Sequence, residues 1–178
     1  MRKAHIKNAL ILVDIQNDYF TGGLWPVQDM DRVAQAAAST LSQARHAVDH
    51  IIHIRHEALS SDAPFFRPDT TGAEIHPSVA PRPDEPVIVK HRPNSFHATS
   101  LHERLQAEEI THVTIVGAMS QMCIDATARA AKDLGYEITV TSDACGAKWT
   151  SFGTVTLTAP QVQAAFMSGL RQAYATVI

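Results

Sequence analysis

The chain has 178 residues, a formal net charge of −3 and 45% hydrophobic residues, as expected for one globular domain, residues 1–178, with a sizeable core. A small negative charge without a basic run argues against a nucleic-acid or anionic-membrane partner. The apolar run nearest the N-terminus, residues 9–13, ends at Asp14 and is too short for a signal sequence or a membrane span. Two cysteines do not make a disulfide framework, so we expect a protein of the reducing cytoplasm.

The first half of the chain alternates apolar runs with one helical pattern. Residues 9–13 are typical of a strand that is buried on both faces. Residues 31–49 carry apolar side chains, the last of them Val48, at helical spacing, and residues 51–55 predict a second strand. Residues 57–86 are rich in proline, serine and aspartate and predict a long irregular segment, a kind of loop that is usually functional or mobile.

The second half continues the alternation. It predicts strands at 87–89, 113–116, 136–141 and 174–178 and helices at 100–107, from the turn at Gly117-Ala118 to Leu134, and from Pro160 onward. We expect Thr99 to cap the first of these helices and Gly135 to end the second, whereas residues 148–159 have no pattern that assigns an element. The whole predicts a three-layer α/β/α fold with a doubly wound, six-stranded parallel sheet of order 3-2-1-4-5-6.

Three reactive side chains follow predicted strands at the carboxyl edge of this sheet. Asp14 ends the first strand, Lys90 ends the third, and Cys123 lies near the start of the helix after the fourth. Unpaired N–H groups and the helix dipole favour a thiolate at such a position, so we expect a thiol pKa below the usual value of about 8.5. Each residue also has a structural interpretation, as an Asx turn, a surface charge and core filler. Three together at a ligand-binding edge favour a catalytic site.

The motifs around these residues resemble those of the isochorismatase-like cysteine hydrolases. This superfamily includes nicotinamidases, N-carbamoylsarcosine, ureidoacrylate and biuret amidohydrolases, and isochorismatase itself. The matching residues, in the right order along the whole chain, are Leu12–Asp18, Val89-Lys90 through Ser95-Phe96 with Thr99 and Leu101, Gly117 through Ile124 with Thr127-Ala128, Asp143–Cys145, and the last helix from Val162 to Tyr174-Ala175.

The resemblance implies a catalytic triad of Asp14, Lys90 and Cys123 and a cis peptide bond at Ala118-Met119. It also implies a hydrolase that cleaves a small amide, ureido or carbamoyl compound through a thioester, and a homodimer or homotetramer. On physical grounds, the backbone N–H groups of Met119 and Cys123 can form the oxyanion hole.

The sequence departs from named members at two places. Isochorismatase lacks the nucleophilic cysteine, so its vinyl-ether hydrolysis is disfavoured here. Nicotinamidases carry a metal site after strand two, with an Asp and a His two residues later, where this chain has His56-Glu57-Ala58. We therefore expect no metal and no cofactor, although His53 and His56 lie near the sheet edge and can reach the pocket. Gln163 replaces a histidine of many relatives.

The substrate pocket is predicted from loop residues. An apolar wall and polar groups for a carbonyl or carboxylate are expected from Phe20, Trp25, Phe65, Phe66, His91, Arg92, Phe96 and Gln121. The phenylalanines can equally pin the loops to the core. Two alternatives to hydrolysis stay open: a redox role for Cys123, which the position of Cys145 at another strand end disfavours, and a catalytically weak or inactive family member that binds a ligand or partner.

Overall fold

The computed structural model describes residues 7–47 and 49–178, which contain eight strands and four α-helices. The strands are β1 (Asn8–Val13), β2 (His50–His56), β3 (Val87–Lys90), β4 (His112–Ala118), β5 (Glu137–Gly146), β6 (Thr150–Phe152), β7 (Val155–Leu157) and β8 (Thr176–Val177). The helices are α1 (Met30–Ala47), α2 (Leu101–Ala107), α3 (Asp125–Asp133) and α4 (Ala159–Ala173). None of these four helices has the length and apolar character needed to cross a membrane.

Six strands form one parallel sheet of order β3-β2-β1-β4-β5-β8. This confirms the predicted fold class and strand order, with the short C-terminal strand β8 in the sixth position. Successive residues of β1 enter different layers: Leu10 and Leu12 pack with α1, whereas Ile11 and Val13 pack with the core under α2, α3 and α4. Because helices cover both faces, five consecutive residues of β1 are buried, as the continuous apolar run predicted.

The structure differs from the predicted elements at several points. The first helix, predicted over residues 31–49, is α1 at Met30–Ala47, and Val48, its last predicted apolar position, lies outside the described residues. Residues 150–157, whose sequence has no pattern typical of an element, form the antiparallel hairpin β6–β7. Strand β5 continues to Gly146 because it bulges beside β4: the partner of Ile115 is Val140, but the partner of Gly117 is Cys145. The helix predicted after the turn at Gly117-Ala118 begins with a π-helical turn at residues 120–124, and α3 follows it.

A close approach of two strands positions the candidate site. Val13 of β1 pairs with Gly117 of β4 at the point where the strand order reverses. Gly117 has a φ of 132°, and a Cβ at this position would overlap the Val13 carbonyl oxygen. Only glycine fits there, so the residues after the two strands, Asp14 and the turn carrying Cys123, start from neighbouring positions.

Candidate active site

Asp14, Lys90 and Cys123 meet at the carboxyl edge of the sheet, in the arrangement that the sequence predicted. The Lys90 Nζ lies 2.7 Å from Asp14 Oδ2 and 3.3 Å from Cys123 Sγ. All three residues are buried, with exposed fractions of 0%, 1% and 4% for Asp14, Lys90 and Cys123. A buried ammonium next to a carboxylate and a sulfur is expensive to desolvate, so this arrangement is not a routine packing solution.

The Lys90 ammonium has two further neighbours. His56 Nδ1 lies 3.0 Å from Nζ, and the backbone carbonyl of Arg92 accepts a hydrogen bond at 3.1 Å. His56 Nδ1 also lies 3.9 Å from Asp14 Oδ2. Of the two histidines that we expected near the edge, His56 therefore reaches the site, whereas His53 is buried lower on β2 and contacts Glu85 Oε2 at 3.1 Å.

Burial controls the protonation of the nucleophile. It raises the pKa of the Cys123 thiol well above its usual value, and the Asp14 carboxylate raises it further, while Lys90 lowers it by less. The pKa of the thiol is therefore shifted in the direction opposite to the one that we expected from the helix N-terminus. Desolvation and repulsion by the nearby carboxylate destabilise a thiolate at this buried position more than the helix N–H groups stabilise it. Cys123 is a neutral thiol at rest.

Lys90 is charged in this site, and His56 is neutral. Burial lowers the pKa of Lys90, but Asp14 and Cys123 outweigh it, so the net pKa is raised and the side chain is an ammonium at neutral pH. Burial lowers the pKa of His56 to about 4, against a smaller opposite effect of Asp14, so its imidazole is neutral. A neutral ring accepts a hydrogen bond at Nδ1 from Lys90 and carries its proton on Nε2.

Asp14 is held in an uncommon conformation with one oxygen unused. Its φ is 53°, in the left-handed region that aspartate tolerates better than most residues, and its N–H donates to the Ile54 carbonyl at 3.1 Å. Its Oδ2 contacts Lys90 as an ion pair at angles outside ordinary hydrogen-bond geometry. Its Oδ1 is buried and has no hydrogen-bond partner among the described residues. An unpartnered buried carboxylate oxygen is costly, which is typical of a group that acts on a ligand.

The turn that carries Cys123 is fixed by its own backbone and by α4. The Ala118-Met119 peptide bond is cis, and the Met119 carbonyl accepts from the N–H groups of Met122 and Ile124. The Ser120 hydroxyl lies 2.6 Å from Gln163 Oε1 on α4, and Gln163 Nε2 donates to the Ser142 carbonyl at 2.9 Å. Gln163 therefore has a structural role: it joins the turn to α4 and to the bulge of β5.

Gln16 is a residue of the site region that sequence reasoning missed. It is fully buried, its Nε2 donates to the carbonyls of His56 and Ala73 at 2.8 Å each, and its Oε1 accepts from the His56 N–H at 2.7 Å. Gln16 thus fixes the backbone of His56. Its position two residues after Asp14 was the available signal, because a polar residue directly after a buried strand needs partners.

The aromatic side chains of the loops form two groups: buried rings that anchor the loops to the core, and half-buried rings. Phe66 is completely buried and packs on Tyr19, and Phe20 is buried and stacks on His76 at 3.7 Å. Phe65 and Trp25 are half-buried and stack on each other at 4.9 Å. Trp25 Nε1 is buried without a hydrogen-bond partner among the described residues, so it is an available donor.

The other predicted pocket residues have partners. His91 is exposed, and its Nδ1 contacts the Glu57 carbonyl at 2.7 Å. Gln121 donates to the Lys148 carbonyl at 2.9 Å, so its amide is bound to the segment before β6. Phe96 packs on Tyr136, which precedes β5 at the opposite, amino edge of the sheet. The side chains brought closest to the triad are therefore those of β2 and of the loop after β1.

The donor atoms of the site do not fit the metal that a nicotinamidase-like site implies. Donor atoms of Asp14, His56 and Cys123 lie within 4.8 Å of one another. The Lys90 ammonium already lies between them, at 2.7, 3.0 and 3.3 Å, and takes the position that a cation needs. Ala58 offers no ligand atom where a histidine is expected.

The second cysteine is separate from this chemistry. Cys145 is buried in the core, and its burial raises its pKa to about 12. Both cysteines are free thiols. A buried, protonated thiol is inert, so Cys145 fills space between β5 and its neighbours.

Comparisons with known proteins agree with the fold. The Isochorismatase domain model matches residues 8–178. The uncharacterized isochorismatase family protein YddQ of Bacillus subtilis is 43% identical over 169 residues, which cover 95% of this chain and 94% of YddQ. A crystal structure of an isochorismatase hydrolase from Oleispira antarctica is 44% identical, has a TM-score of 0.94, and covers 99% of this chain and 95% of that one. The nicotinamidase of Escherichia coli is 26% identical over 176 residues, covering 77% and 82% of the two chains. The chain belongs to the isochorismatase family.

Proposed function

We propose that this protein is a cysteine-dependent amidohydrolase that cleaves a small amide, ureido or carbamoyl compound. The observation that carries the proposal is the contact of one buried ammonium with both Asp14 and Cys123. Acyl transfer to a thiol requires a base, a sulfur nucleophile and a fixed cation. Asp14 with its unpaired oxygen, Cys123 and Lys90 are these three groups.

In the first half of the reaction, the Cys123 thiol is the nucleophile and Asp14 is its base. The S–H proton passes to Asp14 as the sulfur attacks the carbonyl carbon, while Lys90 offsets the negative charge. The backbone N–H groups of Met119 and Cys123 stabilise the tetrahedral oxyanion, and loss of one such donor typically costs about 3–4 kcal/mol of barrier. The protonated Asp14 then returns the proton to the leaving nitrogen, and an amine or ammonia departs from the thioester.

In the second half, water completes the hydrolysis. Asp14, again a carboxylate, takes a proton from the water, whose oxygen attacks the thioester carbon. The carbon–sulfur bond breaks, the acid product leaves, and the proton returns to the Cys123 sulfur. The cycle needs no oxidant or cofactor, and it restores the neutral thiol of the resting site.

The surroundings of the triad support this substrate class. The reacting groups are almost fully buried, so the substrate must be small or must enter with a narrow end. Trp25 and Phe65 offer a stacked aromatic surface, and Trp25 Nε1 offers a donor. A planar amide with an acceptor group would use both. The nicotinamidase relative is named for such a substrate, which supports testing planar amides first.

The test is ammonia or amine release from a panel of small amides, ureas and carbamoyl compounds, with wild type compared with Cys123→Ala. We expect release by wild type and none by the variant. Folding of the variant is checked by circular dichroism, because Cys123 is buried. Asp14→Asn, which keeps the shape but removes the base, is the second variant and should also be inactive.

The panel also separates the two alternatives. Activity that survives in Cys123→Ala would refute the triad mechanism. If the wild type releases no ammonia or amine and the Cys123 thiol forms a mixed disulfide reversibly, a redox role is favoured. Silence with an inert thiol and with saturable ligand binding by calorimetry would leave a binding protein on a hydrolase fold.

We also propose a homodimer or homotetramer, as the family resemblance implies. Sedimentation velocity measures the mass in solution directly. A single species at the mass of one chain, 19.4 kDa, would exclude the oligomer.

A further inference from the structure

All three N–H groups of the Lys90 ammonium are used inside the site. Its hydrogen-bond partners are His56 Nδ1 at 3.0 Å, the Arg92 carbonyl oxygen at 3.1 Å and Cys123 Sγ at 3.3 Å, while Asp14 is its ion-pair partner. An ammonium donates and has no lone pair, so His56 Nδ1 is the acceptor in its contact with Lys90. In a neutral imidazole the other ring nitrogen then carries the proton, which makes His56 a donor at Nε2.

The ring of His56 is fixed in this orientation. Gln16 holds its backbone by hydrogen bonds of 2.7 and 2.8 Å, and the ring packs against Phe66 with the two ring centroids 5.8 Å apart. Turning the ring over would place a carbon atom against the Lys90 ammonium and lose the hydrogen bond between them. Burial lowers the pKa of His56 to about 4, so the ring has a single N–H group near neutral pH.

The Nε2–H group is accessible to a ligand. The His56 side chain is 18% exposed, whereas the side chains of Asp14 and Lys90 are 0% exposed. Within residues 7–47 and 49–178, the ring makes its hydrogen bond through Nδ1, and Nε2 has no partner. A ring nitrogen of His56 lies within 4.8 Å of Cys123 Sγ. Since one carbon atom separates the two ring nitrogens, a small molecule that contacts the sulfur can also reach Nε2.

We propose that His56 is a specificity residue whose Nε2–H group donates a hydrogen bond to a second acceptor of the substrate, beside the scissile amide. The substrate class is then a planar amide that carries a ring nitrogen or a further carbonyl oxygen. This inference deepens the proposed function and rests on it, because the acceptor is placed relative to a carbonyl carbon at Cys123. An analogue without the acceptor would leave the Nε2–H group unpaired in the complex, which costs affinity.

Trp25 Nε1 is a second unpaired donor in the surrounding loops, and its effect must be separated from that of His56. The indole stacks on Phe65, and Phe65 packs on Phe66, which contacts the His56 ring. Two aromatic rings therefore connect Trp25 and His56, and the two donors lie at different ends of this row of rings. Substituting each donor in turn shows which of them binds the acceptor.

The test measures dissociation constants by calorimetry in a Cys123→Ala background, in which an amide binds but is not cleaved. One set of probes is benzamide and its three ring-nitrogen analogues, picolinamide, nicotinamide and isonicotinamide. The other set is butanamide and succinamide, which differ by a further carbonyl group. Within each set the size is similar, so a difference in affinity reports on the added acceptor.

Four substitutions are compared in this background. His56→Phe keeps the ring and its packing but has no donor. His56→Gln places an amide N–H near the position of Nε2, whereas His56→Asn places its amide near the position of Nδ1, where it contacts Lys90 but does not replace the donor. Trp25→Phe removes the indole N–H and keeps an aromatic ring.

We expect at least one acceptor-bearing amide to bind about tenfold more tightly than its counterpart without the acceptor. This preference should disappear in His56→Phe and His56→Asn and persist in His56→Gln and Trp25→Phe. A purely structural role of His56 would weaken the binding of all probes alike and leave the preference unchanged, which would overturn the inference. Equal binding within both sets, no binding of any acceptor-bearing amide, or a preference lost in Trp25→Phe and kept in His56→Phe would also overturn it.

The tautomer of His56 is measured without any ligand. In protein with isotope-labelled histidine, nuclear magnetic resonance distinguishes protonated from unprotonated ring nitrogens. The chain has ten histidines, so the signals of His56 are assigned by their loss in His56→Phe. We expect a protonated Nε2 and an unprotonated Nδ1, and a proton on Nδ1 of the neutral ring would contradict the inference.

The binding measurements do not depend on hydrolysis. An acceptor preference that requires His56, in a protein whose wild type releases no ammonia or amine, would sustain the donor role of His56 and reject the proposed function. Release by the wild type without any acceptor preference would do the reverse.

Discussion

Replacing Lys90 by methionine tests whether the buried ion pair is the energetic centre of the site. Methionine keeps most of the buried aliphatic stem but removes the charge, so packing is conserved. Asp14, fully buried and 2.7 Å from Nζ, is then left as an uncompensated carboxylate. Breaking a buried pair from one side typically costs about 3–5 kcal/mol of the free energy of unfolding.

The matched control is the double variant Lys90→Met/Asp14→Asn, which removes both charges. Replacing a buried pair by neutral groups of similar shape is often neutral, so the double variant should recover most of the loss. Each single variant should cost at least about 3 kcal/mol, and the coupling in the cycle should exceed about 2 kcal/mol because the partners are in contact. All three variants should be inactive.

Urea unfolding followed by tryptophan fluorescence gives the four free energies, provided that the slope against urea stays constant. The melting temperature should fall by about 6–20 °C in Lys90→Met, since about 1 kcal/mol shifts a domain of this size by about 2–4 °C. Additive single variants, or a cost below about 1 kcal/mol for Lys90→Met, would refute the reasoning. Either result would mean that water, not Lys90, already screens Asp14.

Three further predictions concern the frame of the site. Gly117→Ala should lower the free energy of unfolding by about 3 kcal/mol or more in urea titration, because its Cβ would overlap the Val13 carbonyl oxygen; a cost below about 1 kcal/mol would contradict the close approach. Hydrogen bonds from Arg45 lower the pKa of Glu85 to about 2, below its unfolded value of about 4.3, so stability present above about pH 4.5 should be lost as the pH falls toward 2; Glu85→Gln should flatten that dependence in acid titrations followed by circular dichroism. Gln163→Ala should reduce kcat more than KM in steady-state assays, because it frees the turn carrying the nucleophile from α4. An equal reduction of kcat by a substitution in α4 outside this contact would contradict the explanation.

The fold was predictable from the sequence because buried parallel strands have continuous apolar runs as their sequence pattern. The run at residues 9–13 required helices on both faces, and the alternation of elements left one natural strand order. The hairpin at residues 150–157 was not predictable, because its two strands of three residues are almost entirely exposed and no buried face imposes a period of two. The bulge of β5 likewise depends on its neighbour β4 and has no local signal.

The site was predictable in its members but not in its electrostatics. Asp14, Lys90 and Cys123 each follow a strand, and strand ends meet at one edge whatever the loops do. The pKa of Cys123 depends on how deeply the loops after β1 and β2 cover the edge, and spacing along the chain carries no information about depth. His56 was recognisable as near the edge, but its contact with Lys90 depends on the backbone clamp from Gln16.

A nucleophile that rests as a thiol has a consequence for how the proposed reaction begins. An enzyme with a stable thiolate is reactive toward any electrophile that reaches it, whereas a buried thiol beside an unused carboxylate oxygen becomes nucleophilic only when its proton can move. A bound substrate whose carbonyl oxygen enters the oxyanion hole supplies that condition, because charge developing on the substrate replaces charge on the sulfur. In this order of events, the substrate binds first, and Cys123 loses its proton as its sulfur attacks. It predicts that kcat/KM rises with pH far less steeply than the alkylation rate of the free enzyme, and parallel pH profiles of the two rates would show that a preformed thiolate attacks instead.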